Sequence, residues 1–204
     1  VDKATEIYDQ LKTSDMGCFK GTMFFNARLF FFALIEIHNF RITKKRKCNK
    51  NATKYRDMLR KYVAGGAINL VHKVQLLDAE MMKRTSQNSD KVLQKYKAAI
   101  VSATRSGFLQ DAALSNYLCA QYCQTNSKLE SYHEMYMVKS RDQFLSWGAS
   151  EVAKSLCERY PNVFSKMKSL RPRRSSSSVH SIGQFSSTSK FQERHKAVNI
   201  SDIN

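Results

Sequence analysis

The sequence predicts an all-α fold, an α-α superhelix of stacked antiparallel helical hairpins. Glycines recur at intervals of 41 residues, at Gly66, Gly107 and Gly148, and each separates two amphipathic stretches. A period of about 41 residues is typical of two helices and two short connections that bury their faces by stacking on their neighbours. The chain holds only 7 Gly and 2 Pro in 204 residues. A fold of many short strands needs more of these turn-forming residues.

The chain divides by composition into a helical-repeat domain, residues 1–164, and a Ser/Arg-rich tail, residues 165–204. Near the start of the domain, apolar side chains fall three and four positions apart, at Ala4, Ile7, Tyr8 and Leu11, which places them on one helical face. This stretch is typical of the second helix of a hairpin. Because the chain begins inside it, we interpret the sequence as a fragment whose first hairpin is incomplete.

Residues 22–40 form the most apolar stretch of the chain, yet polar side chains such as Arg28 and Glu36 interrupt it. A membrane span needs about 20 predominantly apolar residues, so we predict instead a helix that is buried on most of its sides. A basic loop at residues 43–51 then leads to a partner helix at residues 52–63.

Two more hairpins follow, in which residues 67–85 pair with residues 90–106 and residues 108–123 pair with residues 127–147. Each hairpin begins just after a glycine of the 41-residue repeat. Glycine tolerates the left-handed conformation that commonly ends a helix, so we predict that these glycines are helix caps between units.

A last helix, residues 149–159, covers the end of the predicted array and stops at Pro161. Trp147, the only tryptophan, stands at the junction where the third hairpin meets this helix. Apolar residues precede and follow it at helical spacing. We therefore expect the indole to be buried in the gap that opens where the chain turns at Gly148.

The formal net charge is +17, and basic residues are concentrated in one segment of the domain. Ten Lys and Arg residues lie between Arg41 and Lys61, with Asp57 as the only acidic residue among them. The densest part comprises Lys44, Lys45, Arg46, Lys47 and Lys50. A solvated loop and helix face would account for this charge, and so would attraction of nucleic acid or an anionic membrane surface. No base-reading motif accompanies the charge, which favours the solvated surface.

The tail combines low hydrophobicity with net positive charge, a composition that predicts disorder. Arginines precede a run of serines in the sequence RPRRSSSS, residues 171–178. Kinases that select basic substrates read guanidinium groups before a serine, so Ser175 and Ser176 are candidate phosphorylation sites. Two alternatives remain open, an unmodified polar tail and targeting to the nucleus or to nucleic acid through the same arginines.

The five cysteines indicate the cellular compartment rather than a disulfide framework. Their number is odd and no C-x-x-C pair occurs, so we expect a reducing, intracellular and most simply cytoplasmic environment. The sequence opens on no charged and then apolar leader, and no uninterrupted apolar run approaches 20 residues. We therefore expect no membrane association.

The sequence contains no arrangement of residues typical of a catalytic site. Cys119, Cys123 and His133 could supply three metal ligands, but their spacing matches no known zinc motif, and we predict that they pack in the core. Asp78 and Glu80 are close in sequence but point to different sides of a helix. Phosphate-binding loops and kinase catalytic motifs are absent from the sequence. We expect no enzyme activity, no cofactor and no metal in this chain.

Several segments carry a resemblance to a known family. The segments are SGFLQDAALSNYLCAQYC (106–123), DQFLSWGASEVAKSLCERYP (142–161), NARLFFFALIEIH (26–38) and LLDAEMM (76–82). They resemble the tetratricopeptide-like helical region of large signal-transduction ATPases. In that family a serine/threonine-kinase-like domain and an AAA-type ATPase domain precede this region, and a sensor domain with a histidine kinase or a cyclase often follows it.

The matching motif residues are packing and cap positions, and their order is what makes the resemblance specific. They are Gly107, Phe108, Asp111, Ala112, Ala113 and Leu114, then Trp147, Gly148 and Ala149, then Tyr160 and Pro161. The chain departs from the family at Asn116 and Tyr117, where an acidic and a small residue are usual. The resemblance implies a tetratricopeptide-like superhelix and a place in an intracellular signalling protein.

The sequence therefore predicts a non-catalytic interaction module. Its concave face would hold a protein partner or a neighbouring domain of the same polypeptide. The alternative is a module that binds nucleic acid or an anionic surface through residues 41–61 and the basic tail.

Overall fold

The computed structural model of the chain describes residues 2–13, 22–86 and 88–169. Within these ranges the chain forms helices and no β-strands, which confirms the all-α prediction. The helices are α1 (Asp2–Thr13), α2 (Met23–Thr43), α3 (Arg46–Ala64), α4 (Val71–Met82), α5 (Ser89–Arg105), α6 (Leu109–Gln124), α7 (His133–Ser146), α8 (Ser150–Arg159) and α9 (Pro161–Ser169). Short 3₁₀ turns at Ile68–Leu70 and Glu130–Tyr132 lead into α4 and α7.

Consecutive helices pack in pairs around an apolar core. The most extensive packing joins α2 to α3, α4 to α5 and α6 to α7. The pairs contact one another, since α5 packs against α6 and α4 contacts both α2 and α6. Helix α4 is the most enclosed of these, because all of its side chains are at least partly buried. The largest fully buried apolar side chains are Tyr96, Phe30, Ile37, Leu59, Leu76, Leu77 and Met137.

The apolar stretch of the sequence forms α2, and its buried residues include Glu36. The Glu36 carboxylate accepts hydrogen bonds from the Tyr8 hydroxyl of α1 and, at 2.6 Å, from the Asn51 side-chain amide of α3. A buried carboxylate with such partners belongs to a protein core. Across the described part of the chain, no helix has the length and apolar character that crossing a bilayer requires.

The three glycines of the 41-residue repeat end α3, α5 and α7 in the same way. Their φ angles are +98° at Gly66, +74° at Gly107 and +90° at Gly148. Each glycine N–H donates to the carbonyl three residues earlier, and the next N–H donates to the carbonyl five residues earlier, over 2.9–3.2 Å. This pair of hydrogen bonds is the Schellman motif, which satisfies carbonyls that the helix end would leave open. The sequence repeat is therefore also a repeat of helix ends.

A buried polar cluster joins the start of α6 to α4. His72 Nε2 lies 2.7 Å from Asp111 Oδ2, and the Lys73 ammonium bonds the same oxygen. The Phe108 ring stacks on the His72 imidazole with 4.7 Å between centroids. Burial alone would raise the pKa of Asp111, but the hydrogen bond with His72 and the charge of Lys73 together lower it. Two residues of the repeat motif, Phe108 and Asp111, thus connect consecutive hairpins.

The prediction of a basic loop at residues 43–51 is wrong, because most of that segment is helical. Helix α2 continues to Thr43 and α3 begins at Arg46, so only Lys44 and Lys45 connect them. Lys44 makes the turn in the left-handed conformation, with φ at 57°. Lys and Arg are good helix formers, so a run of positive charge does not by itself end a helix.

The predicted burial of Trp147 is also wrong, since 53% of its surface is exposed. Its spacing places it on the face of α7 that carries the buried Ser140 and the partly buried Phe144. The Ser140 hydroxyl donates to the Ala113 carbonyl, close to the first residue of α6, Leu109. Trp147 directly follows the last residue of α7, about two turns beyond Ser140, and therefore extends past the amino-terminal end of α6.

The last part of the described chain folds into two helices rather than the single helix predicted. Helix α8 ends at Arg159, and Pro161 begins α9, a position where the missing N–H of proline costs nothing. Val163 and Phe164 of α9 are buried in the core. Pro161 therefore separates two packed helices and does not end the array.

Helix α9 continues to Ser169, five residues beyond the predicted end of the domain at residue 164. The candidate phosphorylation sites Ser175 and Ser176 lie outside the described residues.

Candidate partner-binding groove

A groove lies between α2 and α6, with α4 at its floor. A cavity of about 130 Å³ in this groove is lined by Leu34, Ile37, His38, Arg41, Glu80, Leu114, Leu118 and Gln121. Four of these residues are leucine or isoleucine, and they come from the two helices that flank α4. We call this part the apolar half of the groove.

A second cavity, of about 320 Å³, shares Arg41 and Gln121 with the first and therefore adjoins it. Its lining residues are Arg41, Lys83, Arg84, Gln121, Tyr122, Gln124 and Thr125. All of them lie at or just beyond the carboxyl ends of α2, α4 and α6. Three are cationic and none is acidic. We call this part the cationic half of the groove.

Glu80 stands where the two halves meet, and its carboxylate is well satisfied. It accepts a hydrogen bond of 2.5 Å from the Tyr96 hydroxyl and pairs with the Lys83 ammonium at 2.5 Å. Burial raises the pKa of Tyr96 well above its usual value, so this phenol remains a donor. Burial lowers the pKa of Lys83 more than pairing with Glu80 raises it, and the charge of Arg41 lowers it further.

Arg84 is held in place but keeps unused donors. Its Nη2 donates to the Asn49 side-chain oxygen at 2.9 Å, and its guanidinium carbon lies 4.3 Å from the centre of the Phe40 ring. Its Nε and Nη1 are buried and have no acceptor within the described ranges. A buried donor without an acceptor costs about 1–3 kcal/mol, so this side chain can still gain from an added oxygen ligand.

The predicted basic patch lies elsewhere, on the exposed side of α3 and its preceding turn. Lys44, Lys45, Arg46, Lys47 and Lys50 are all exposed, and none of them forms an ion pair with a described carboxylate.

The patch continues one repeat further along the chain. Lys50 and Lys54 of α3 stand 41 residues before Lys91 and Lys95 of α5, and all four side chains are exposed. The nearby Arg60 has a different role, since it forms two hydrogen bonds of 2.8 Å with the Asp78 carboxylate of α4. We call Lys50, Lys54, Lys91 and Lys95 the outer lysines.

The residues considered for metal binding take part in core packing. Cys119 and Cys123 are fully buried on α6. The His133 ring nitrogen Nδ1 donates to the Ala120 carbonyl at 2.9 Å. No group of three or more possible metal ligands occurs in the part of the chain that the structure describes. Asp78 pairs with Arg60 and Glu80 with Lys83, so both carboxylates considered for catalysis are engaged.

Comparison of the chain with protein-family models, with curated proteins and with solved structures finds no match. The resemblance to signal-transduction ATPases therefore depends on the sequence motifs alone. The geometry of the groove is independent of that resemblance.

Sequence reasoning did not identify the groove residues. Arg41, Lys83 and Arg84 come from helix ends that lie about 40 residues apart, and Gln121 lies a further repeat away. The sequence repeat could have indicated the groove. Because the same helix end recurs in consecutive repeats, polar residues at the carboxyl ends of α2, α4 and α6 are expected on one side of the molecule.

Proposed function

We propose that the chain is a non-catalytic interaction module whose groove between α2 and α6 holds a segment of a protein partner or of a neighbouring domain of the same polypeptide. The observation that carries the proposal is an apolar half of the groove next to a cationic half. Together they suit an extended segment in which apolar side chains are followed by acidic ones. The hairpins α2–α3, α4–α5 and α6–α7 are then three units of a tetratricopeptide-like superhelix, as in the helical region of the signal-transduction ATPases that the sequence resembles.

Three properties of the groove support this role. Its floor is the most enclosed helix of the fold, so the site is held on a rigid element. Its walls come from helices of different hairpins, which is where stacked repeats present a continuous surface. The partly buried Leu114 and Leu118 offer apolar surface without being sealed in the core.

Selection of peptides from a random display library tests the proposal. The folded chain is the target, and binders are then measured against Leu118→Glu, which places a negative charge in the apolar half. Ala98→Glu is the matched control, because it adds the same side chain and the same charge on the exposed face of α5. We expect selected peptides to combine apolar and acidic residues and to lose at least about tenfold in affinity for Leu118→Glu.

The control variant is expected to bind within about twofold of the parent chain. Circular dichroism of Leu118→Glu checks that its fold is retained. Peptides that bind both variants equally, or a selection that yields no binders to the groove, would refute the proposal.

A second candidate function is binding of nucleic acid or an anionic surface. The outer lysines favour it, because exposed ammonium groups recur at the same positions of two consecutive repeats. Retention on a heparin or DNA column over a salt series tests it. Steep loss of binding as salt rises, together with weaker binding when the outer lysines are replaced by glutamine, would favour this function over the groove.

A further inference from the structure

We infer that the cationic half of the groove is a binding site for a phosphate-type dianion. Arg41, Lys83 and Arg84 surround a cavity of about 320 Å³ whose other lining side chains are amides and hydroxyls. This site goes beyond the proposed function, since it can be occupied by a small anion whether or not a protein segment occupies the apolar half.

The charge at the site is suited to a dianion. Three cationic side chains and no carboxylate line the cavity among the described residues, and the neighbouring Glu80 is paired with Lys83 and hydrogen-bonded to Tyr96. Counted over these four groups, the balance is an excess of two positive charges. Phosphate monoesters carry close to two negative charges at neutral pH, whereas a single carboxylate carries one.

The donors at the site are suited to a tetrahedral group of oxygens. Guanidinium groups bind phosphate oxygens in pairs, and Arg84 has two buried donors without an acceptor in the described part of the chain. The Gln121 and Gln124 amides add neutral donors around the same cavity. A phosphate group has enough acceptor oxygens to use several of these donors at once.

The electrostatic environment supports the same conclusion. Burial lowers the pKa of Lys83 and of His38, and the charge of Arg41 lowers the pKa of both groups further. The positive charges of Arg41 and Lys83 therefore repel each other, and a bound dianion would relieve that repulsion. Cations at the carboxyl ends of helices also interact favourably with the helix dipole, but that interaction alone predicts no binding of anions.

Isothermal titration calorimetry with inorganic phosphate, pyrophosphate and phenyl phosphate tests the site, with the whole chain in about 150 mM salt to screen surface charge. We expect a single saturable site. Arg41→Gln should weaken binding by at least about tenfold, because a charge-assisted hydrogen bond is lost. Arg105→Gln is the matched control, an exposed arginine in the last turn of α5, and should change the affinity by less than about twofold.

A second variant keeps the size of the side chain and changes only its charge. Gln121→Glu places a carboxylate in the cavity and should abolish binding of all three anions. Tighter binding of phenyl phosphate than of inorganic phosphate would identify a phosphate ester as the natural ligand, and the reverse order would identify free phosphate or pyrophosphate.

Absence of saturable binding to the parent chain, or equal loss in the Arg41→Gln and Arg105→Gln variants, would overturn the inference. The groove proposal has a separate readout, the loss of display-peptide binding in Leu118→Glu, which is measured without added phosphate.

Discussion

The Asp111 carboxylate connects α6 to α4 of the preceding hairpin. It is buried and bonded by His72 of α4 and by the ammonium of Lys73. Removing one partner from a buried charged cluster leaves the others unsatisfied, so we expect Asp111→Ala to cost about 3 kcal/mol in the free energy of unfolding. Urea denaturation measures the loss. Asp142→Ala removes an exposed carboxylate of α7 and should change stability by less than about 0.5 kcal/mol.

The same carboxylate predicts a dependence on pH. Its pKa in the folded chain is below the unfolded value, because the hydrogen bond with His72 and the charge of Lys73 outweigh the opposite effect of burial. Its contribution to stability is therefore complete above the unfolded pKa and is lost as the pH falls through the folded one. The difference in unfolding free energy between the parent chain and Asp111→Ala should shrink below about pH 4. A difference that stays constant over this range would exclude the role of the carboxylate.

Trp147 gives an optical test of the junction between α7 and α8. Because half of the indole is exposed, we expect a fluorescence maximum close to that of tryptophan in water. Trp147→Ala should cost about 1 kcal/mol or less, well below the usual range for truncating a core aromatic. A blue-shifted maximum together with a loss of several kcal/mol would show that the indole is buried after all.

The repeated helix ends can be tested one element at a time. Gly66→Ala forces a side chain into a φ of +98°, and nothing lies within 4 Å of the added carbon, so backbone strain is the whole effect. We expect a loss of about 1–2 kcal/mol. The neighbouring Gly65 has a φ of −82° and is a control within the same turn, so Gly65→Ala should be neutral or slightly stabilising. Equal melting temperatures for the two variants would refute the role of the Schellman motif.

Most of the helices, and the ends of three of them, were predictable because they depend on local chemistry. The 41-residue glycine spacing located the caps of α3, α5 and α7, and those caps have positive φ. The end of α2 was not predictable, since Lys44 takes a conformation usual for glycine. The exposure of Trp147 was not predictable either, because it depends on how far α6 extends beside α7. The groove was not predictable for the same reason, because it depends on which helix ends come together in the fold.

At the scale of the whole molecule, the central position of α4 predicts the distribution of stability. Helix α4 contacts four other helices, α2, α3, α5 and α6. Helix α1 has extensive contact with α2 alone. In stacked arrays each unit is held chiefly by its neighbours, so amide hydrogens of α4 should exchange most slowly and those of α1 and α9 fastest. Hydrogen exchange followed by mass spectrometry measures this order. Uniform exchange across the helices would contradict a stacked arrangement.

Photo-crosslinking in the cells that make the protein tests the central claim, that the groove between α2 and α6 is the surface that binds a partner. A photoreactive phenylalanine analogue replaces Leu118 in the groove or, as the control, Ala98 on the exposed face of α5. We predict a discrete adduct from position 118 that maps to one segment of one protein and disappears when Leu114→Glu is added. Adducts that form equally well from position 98, or from position 98 alone, would contradict the assignment of the groove and move the binding surface to the outer lysines.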